Sequence, residues 1–279
     1  MEVPVMTTAQ APDRTPSRPV VPLWWGVDAV PDRFGPCVVT VGVFDGVHRG
    51  HRRLIDHARA VGRERGLPVV LLTFDPHPAR VLGIDRDTAV LTTVDRRAEL
   101  AAAAGVDAVC VLRFTTGLAA RTPHEFARDV LARGLEAAAV VVGANFTFGV
   151  RAAGDVTTLA TLGTGLGFTT HVVPLLQAVD APCSSTHARR CIRSGRLDAA
   201  ARALGRPHRV DGARRGDVVR PDPGTALPPP GRYCGLVDGC AGDVEVLPGG
   251  RVRIVAAVGD RPAPDGPVSV VFAGNGTLR

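Results

Sequence analysis

Residues 37–51 read Cys37-Val38-Val39-Thr40-Val41-Gly42-Val43-Phe44-Asp45-Gly46-Val47-His48-Arg49-Gly50-His51, and this stretch decides the fold. Its first part, Cys37–Phe44, is an apolar run of strand length. Its end opens a helix: His51, Leu54, Ile55, Ala58 and Val61 form an apolar stripe at helical spacing, and Gly66 supplies a stop. A strand that turns directly into a helix offers free backbone N–H groups and the positive end of the helix dipole to an anion. Gly46 and Gly50 are expected to let a phosphate approach the backbone closely. His48 and His51 are three apart, so on a first helical turn they face one way and can both donate to phosphate oxygens. The plainer reading is a pair of surface or capping histidines.

Working outward, further Val-rich runs read as strands at Pro68–Phe74, Asp107–Phe114, Ala138–Gly143 and Phe168–Val173. Near-continuous apolar runs suit strands buried on both faces of a parallel sheet. Helices are expected between them, over Asp95–Ala104, from the capping box Thr122-Pro123-His124-Glu125, and over Asp155–Leu162. This alternation predicts an α/β fold with a doubly wound parallel sheet, whose ligand lies beyond the C-terminal ends of the strands. Residues 1–35 are proline-rich and read as a loose arm, with Trp24 and Trp25 pinning its end. Ser184–Leu204 reads as two short helices and Gly216–Gly231 as a linker. Strand-like pieces at Tyr233–Val237, Val244–Leu247, Val252–Val258 and Val268–Phe272 then make a small β module.

The 279 residues carry a net charge of +6, and every cationic side chain is Arg. Without lysine, Schiff-base chemistry and a Walker A loop are excluded. Arg suits phosphate because its planar fork donates two bonds at once. Nucleic acid is disfavoured, because aromatics are 4% of the chain and none interleave with a basic segment. The six cysteines show no C-x-x-C pair and no zinc spacing, which fits a reduced, cytoplasmic protein. No signal peptide or membrane-spanning run is read, and the oligomeric state is not legible.

Three more stretches carry chemistry. Thr73-Phe74-Asp75-Pro76-His77-Pro78 stiffens a loop at the end of the second strand, where Phe74 can meet a planar ring. Gly143-Ala144-Asn145-Phe146-Thr147-Phe148-Gly149, followed by Arg151, ends the fourth strand with a polar reader and ring walls. Ser184-Ser185-Thr186-His187-Ala188-Arg189 sets hydroxyls at a helix start with Arg189 a turn on.

In this order and spacing, the four stretches resemble the adenylyltransferase module of the bacterial bifunctional riboflavin kinase/FAD synthetase family, from about Trp25 to Val210. The resemblance implies a Rossmann-like nucleotidyltransferase domain over residues 36–205 and a β module over 206–279. It implies transfer of AMP from ATP to FMN with Mg²⁺ and release of pyrophosphate. His48 and His51 would hold the ATP phosphates, with Arg189 as their partner in catalysis. Gly42, Phe44, Asp45, Gly46 and Gly50 would line the nucleotide pocket, with Asn145, Ser185 and Thr186 completing its contacts. Phe74, Asp75, Pro76, His77, Pro78 and Phe148 would lie on the flavin side. No protein ligand to the metal is named.

The chain departs from the family after Arg209. The Pro-Thr-Ala-Asn hallmark of the kinase module is missing, so that module reads as degenerate and riboflavin kinase activity as absent. The motifs belong to the donor side, so another phosphorylated acceptor is the competing reading. A non-catalytic nucleotide or flavin binder is the other.

Overall fold

A computed structural model describes residues 21–174, 176–178, 181–257 and 264–275. Six parallel strands form one sheet in the order β1-β4-β3-β2-β5-β6. They are β1 (Leu23–Trp25), β2 (Cys37–Val41), β3 (Val69–Asp75), β4 (Ala108–Arg113), β5 (Ala137–Gly143) and β6 (Thr169–Val173). All five residues of β2 are buried, as central position demands. Alternate residues feed two cores. Val39, Val41, Leu72 and Cys110 face Phe126, Leu131 and Leu159. Val38, Leu71 and Val109 face Ile55, Ala58 and Ala101. Helices therefore cover both faces, and the doubly wound expectation holds.

The helices begin where the caps place them. α1 (Arg49–Arg65) stops at Gly66, whose φ of 66° is left-handed. α2 (Pro78–Val81) is one turn. α3 (Val94–Ala103) is capped by Thr93, and α4 (Thr116–Ala119) is another single turn. The Thr122–Glu125 capping box forms both of its bonds at α5 (Pro123–Glu125), which runs on as a wider π-turned helix over Phe126–Gly134. α6 (Val156–Leu166) is capped by Asp155. α7 (Ser185–Arg193) and α8 (Leu197–Leu204) are the two short helices expected. No helix among the described residues is long and apolar enough to cross a membrane.

Two expectations change. The end of the proline-rich arm is an edge strand: Trp24 pairs with Cys110 across to β4, and its buried ring packs edge-on against Phe34 at 4.7 Å. Trp25 points out and is 51% exposed. The rest of the arm, residues 1–20, lies outside the described residues. The C-terminal module closes into a barrel of order β10-β13-β12-β11-β14-β9. Its strands are β9 (His208–Arg215), β10 (Val218–Pro221), β11 (Gly231–Val237), β12 (Cys240–Val246), β13 (Val252–Ala257) and β14 (Gly266–Asn275). β10 thus occupies the start of the expected linker, and the prolines from Pro223 to Pro230 sit in the crossover to β11. Val210, Val219, Tyr233, Val244, Val252 and Phe272 fill the barrel. The expected piece Val252–Val258 is β13, except that Val258 lies outside the described residues.

From β2 the chain winds one way to β3 and β4, and the other way to β5 and β6. The switch lies between β2 and β5, where such sheets open a crevice at their C-terminal ends. Gly42 follows β2 there, and Gly143 ends β5.

Candidate active site

The turn from β2 into α1 is held under strain. Phe44 and Val47 adopt φ of 51° and 35°, values that non-glycine residues rarely take. Phe44 is why β2 ends at Val41, short of the strand expected to reach Phe44. Donors from distant elements fix the turn's carbonyls. Thr73 Oγ1 donates to Val43 O at 2.7 Å, and Ser185 Oγ donates to Asp45 O at 2.8 Å. Arg206 donates to Gly46 O at 2.6 Å and to Val47 O at 3.3 Å.

Asp45 is the hub. Its buried carboxylate accepts from the backbone of Leu91 at 3.1 Å and of Thr92 at 2.9 Å. It also accepts from Arg189 Nη2 at 2.6 Å. Arg189 is 1% exposed and donates from Nε to Ala89 O at 2.6 Å. Arg97, 4% exposed, lies 4.0 Å from Asp45 and donates to Thr73 Oγ1 and Phe74 O. Asp75 sits beside Arg97. Three guanidiniums, of Arg97, Arg189 and Arg206, face two carboxylates, so the loop beneath the histidines keeps a net positive charge.

His48 is not in the first helical turn; it is the cap. Its Nδ1 accepts from the His51 N–H at 3.2 Å. That use of Nδ1 places the neutral ring's proton on Nε2. The His48 and His51 rings stack with centroids 3.6 Å apart. Burial lowers the His48 pKa to about 4, with Arg206 and Arg189 adding to the effect and Asp45 opposing it. Burial, and then His48 and the three arginines, hold His51 well below its usual value. His51 Nδ1 is buried with no partner among the described residues. Both rings are therefore neutral donors at physiological pH.

His208 in β9 is also pushed down to about 4 by burial. Between pH 6.5 and about 4 the unfolded chain binds protons that folded His48 and His208 refuse. Stability is then level above pH 6.5 and falls as pH drops through that window, by up to about 3 kcal/mol for each histidine. Urea melts at steps from pH 7.5 to 4.5 should show this slope, and replacing His208 by Gln should flatten part of it.

The histidines open into a cleft of about 1060 Å³ at the switch point. Of the residues singled out in the sequence, Gly42, His48, Gly50, His51, Phe74, His77, Pro78, Asn145, Phe148, Ser185, Thr186 and Arg189 line it. Phe44, Asp45, Gly46, Asp75 and Pro76 do not. Phe44 is buried in the core beneath, and Asp45 and Asp75 line a small void behind. Two of the glycines are tightly packed. A Cβ on Gly46 would meet Leu91 Cδ1 at 2.9 Å and Leu204 at 3.1 Å, and Gly46 has φ 82°. A Cβ on Gly50 would meet Cys183 O at 3.0 Å and the His48 ring at 3.1 Å. The space a side chain would need at both positions is taken by protein.

The cleft is polar around His48, His51 and Arg189 and carries aromatic walls elsewhere, with Arg86 and Arg151 beside them. Phe74 meets Phe114 edge-on at 5.8 Å, and Phe146 stacks on Phe148 at 5.5 Å. Exposed Leu82 and Ile84 form a lip, with Leu118 and Phe126 deeper. Phe114, Leu118, Leu82, Arg97 and Arg206 escaped the sequence reading. Phe114 ends an expected strand, and that position in a doubly wound sheet was the available signal; the two arginines gave none locally. Among the described residues, no Asp or Glu lines the cleft, and no three potential ligands cluster for a metal.

The family model described as FAD synthetase matches residues 31–187, which take in the turn, both histidines and most of the cleft. The chain belongs to the FAD synthetase family. It is a nucleotidyltransferase of that family. It is 35% identical over 231 residues to the bifunctional riboflavin kinase/FMN adenylyltransferase of Escherichia coli strain K12, covering 81% of this chain and 74% of that one. It is 37% identical over 176 residues to the protein of the same description from Listeria monocytogenes, covering 63% of this chain and 55% of that one. A crystal structure described as a macrolide-efflux protein from Streptococcus pneumoniae shares the fold, with TM-score 0.79 over 91% of this chain and 90% of that one. At 21% identity that likeness concerns the fold alone, barrel included.

Proposed function

We propose that this FAD synthetase-family chain is an FMN adenylyltransferase that transfers AMP from ATP to FMN, releases pyrophosphate, and does not phosphorylate riboflavin. The observation that carries the reading is the division of one cleft: paired neutral histidines over a cationic turn at one end, and aromatic walls at the other. A triphosphate suits the first and a flavin ring the second. Family membership and the relatives' descriptions support the same assignment.

In this reading an FMN phosphate oxygen attacks the ATP α-phosphorus in line as pyrophosphate leaves. No covalent intermediate is needed, so the protein contributes position and electrostatics. His48 Nε2–H donates to phosphate oxygens, with His51 stacked on it as the second ring donor. Arg189 holds the Asp45 network in place. Ser184 caps α7 by accepting from His187 N, while Thr186 and Asn145 offer polar contacts at the rim. Among the described residues no carboxylate lines the cleft, so a magnesium ion would be held chiefly by the triphosphate and would offset its charge. The loss of kinase activity rests on β9, which reads His208-Arg209-Val210-Asp211-Gly212-Ala213-Arg214-Arg215 where the kinase hallmark is expected.

Purified protein is incubated with Mg-ATP and either FMN or riboflavin, and flavin products and pyrophosphate are measured. FAD is expected from FMN, with nothing formed from riboflavin. FMN formed from riboflavin would end the claim of kinase loss. ATP binding without FAD formation would redirect the search to another phosphorylated acceptor.

A further inference from the structure

The loop between α2 and α3 has an unusual set of partners. Asp45 takes up the N–H groups of Leu91 and Thr92. Arg189 takes up the carbonyl of Ala89. Both backbone groups of Val90, between them, are satisfied by the barrel. Val90 N–H donates to Gly224 O at 2.8 Å, and Ala226 N–H donates to Val90 O at 2.9 Å. This parallel bridge, centred on Val90 and Thr225, is made by the crossover between β10 and β11. The crossover is itself braced: His208 Nε2, on β9, donates to Ala226 O at 2.8 Å. Ala226 is fully buried in a cluster with Ala89, Leu91, Ala188, Ile192 and Leu204. Successive residues of one loop are thus tied alternately to the catalytic domain and to the barrel.

We propose that the barrel segment Gly224–Ala226, braced by His208, is a positioning device for adenylyl transfer, holding loop 87–93 so that Leu91 and Thr92 fix Asp45 beneath the nucleotide end of the cleft. The inference rests on the cleft being an adenylyl-transfer site. Buried backbone groups need partners, and removing one leaves the loop's ladder open. The loosened loop would release Leu91 and Thr92 from Asp45, and with them the turn that carries His48. Arg206, at the entrance to the barrel, grips the carbonyls of Gly46 and Val47 on the other side of the same turn. A barrel without its kinase chemistry then still serves the reaction, as the clamp on the loops of the neighbouring site. His208 and Ala226 touch no substrate and act through Val90.

Three variants of the full chain test this. His208→Leu removes the donor to Ala226 O. His208→Gln keeps a donor there. Val237→Ala weakens the barrel core at the end of β11 away from the crossover. Amide hydrogen exchange at Leu91 and Thr92 is read beside kcat and KM for ATP with FMN as acceptor. His208→Leu is expected to speed exchange at both amides and to lower kcat/KM by about tenfold, from the loss of one buried hydrogen bond. His208→Gln should restore both. Val237→Ala should lower the melting temperature and leave both readouts unchanged. Unchanged exchange in His208→Leu overturns the proposal, and so does an equal loss of activity in Val237→Ala. If the wild-type chain makes no FAD, the functional reading fails instead, and the exchange measurement still decides whether the barrel holds the loop.

Discussion

Asp45→Asn is expected to lower folding stability by about 3–5 kcal/mol, the usual consequence of removing one partner from a buried ion pair. The change preserves shape and removes charge. Arg189 is 1% exposed and Arg97 4% exposed, so neither guanidinium can turn to water when its carboxylate is gone. Asn offers one acceptor oxygen where Asp offers two, yet Leu91 N–H, Thr92 N–H, Thr92 Oγ1 and Arg189 all require one. Its amide also brings two N–H donors towards two cations. The surplus positive charge that suits a triphosphate is what makes the apo site costly to hold together without Asp45. Urea denaturation of wild type and variant measures the effect. A loss under about 1 kcal/mol would mean that water or a shifted side chain replaces the carboxylate, and the hub assignment would fall. Arg97→Met in the Asp45→Asn background should recover part of the loss, because it removes one unpaired buried charge.

The parts of this molecule legible in its sequence are those whose physics is local. Val38, Val39 and Val41 declare a strand buried on both faces, and Thr122 with Glu125 declares a helix start. The β2–α1 turn was legible too, because a Gly-rich strand-to-helix junction with two histidines has few other uses. What escaped depends on contacts far apart in the chain. Arg97 lies on a helix 52 residues from Asp45 in sequence, and nothing near it separates it from the half-buried Arg96 one position earlier, which pairs with Glu99. Arg206 reaches 160 residues back to Gly46. β9 hides its strand period because Arg209, Asp211 and Arg215 take outward positions while Gly212 and Arg214 interrupt the inner row. β1 is three residues long, too short for any period to show. The tight packing at two glycines was hidden for the same reason: Leu91, Leu204 and Cys183 come from far along the chain to lie against Gly46 and Gly50. The sequence places free space at a glycine, and only the fold says what fills it.

His48→Ala should lower kcat by about 10²–10³, the range for losing one preorganised donor to a developing oxyanion, with a smaller loss of stability. Two functions sit in one ring. Nδ1 caps α1 by accepting from His51 N–H, and Nε2–H is free to donate into the cleft. The cap alone is worth about 1 kcal/mol. His48→Asn separates the two, because its side-chain carbonyl restores the cap but sets no donor where Nε2 was. Melting temperature should therefore recover in His48→Asn while kcat stays as low as in His48→Ala. His51→Ala should give a comparable fall in kcat and leave the cap intact, since the bond to His48 uses only the backbone N–H of residue 51. Full activity in His48→Asn would show that the ring is a cap and nothing more, and phosphate recognition would pass to the backbone of the turn. Parallel losses of rate and stability across all three variants would show that the stacked rings act as packing. Low rate with recovered stability in His48→Asn is the one pattern that requires the imidazole itself to donate to the transferring phosphate.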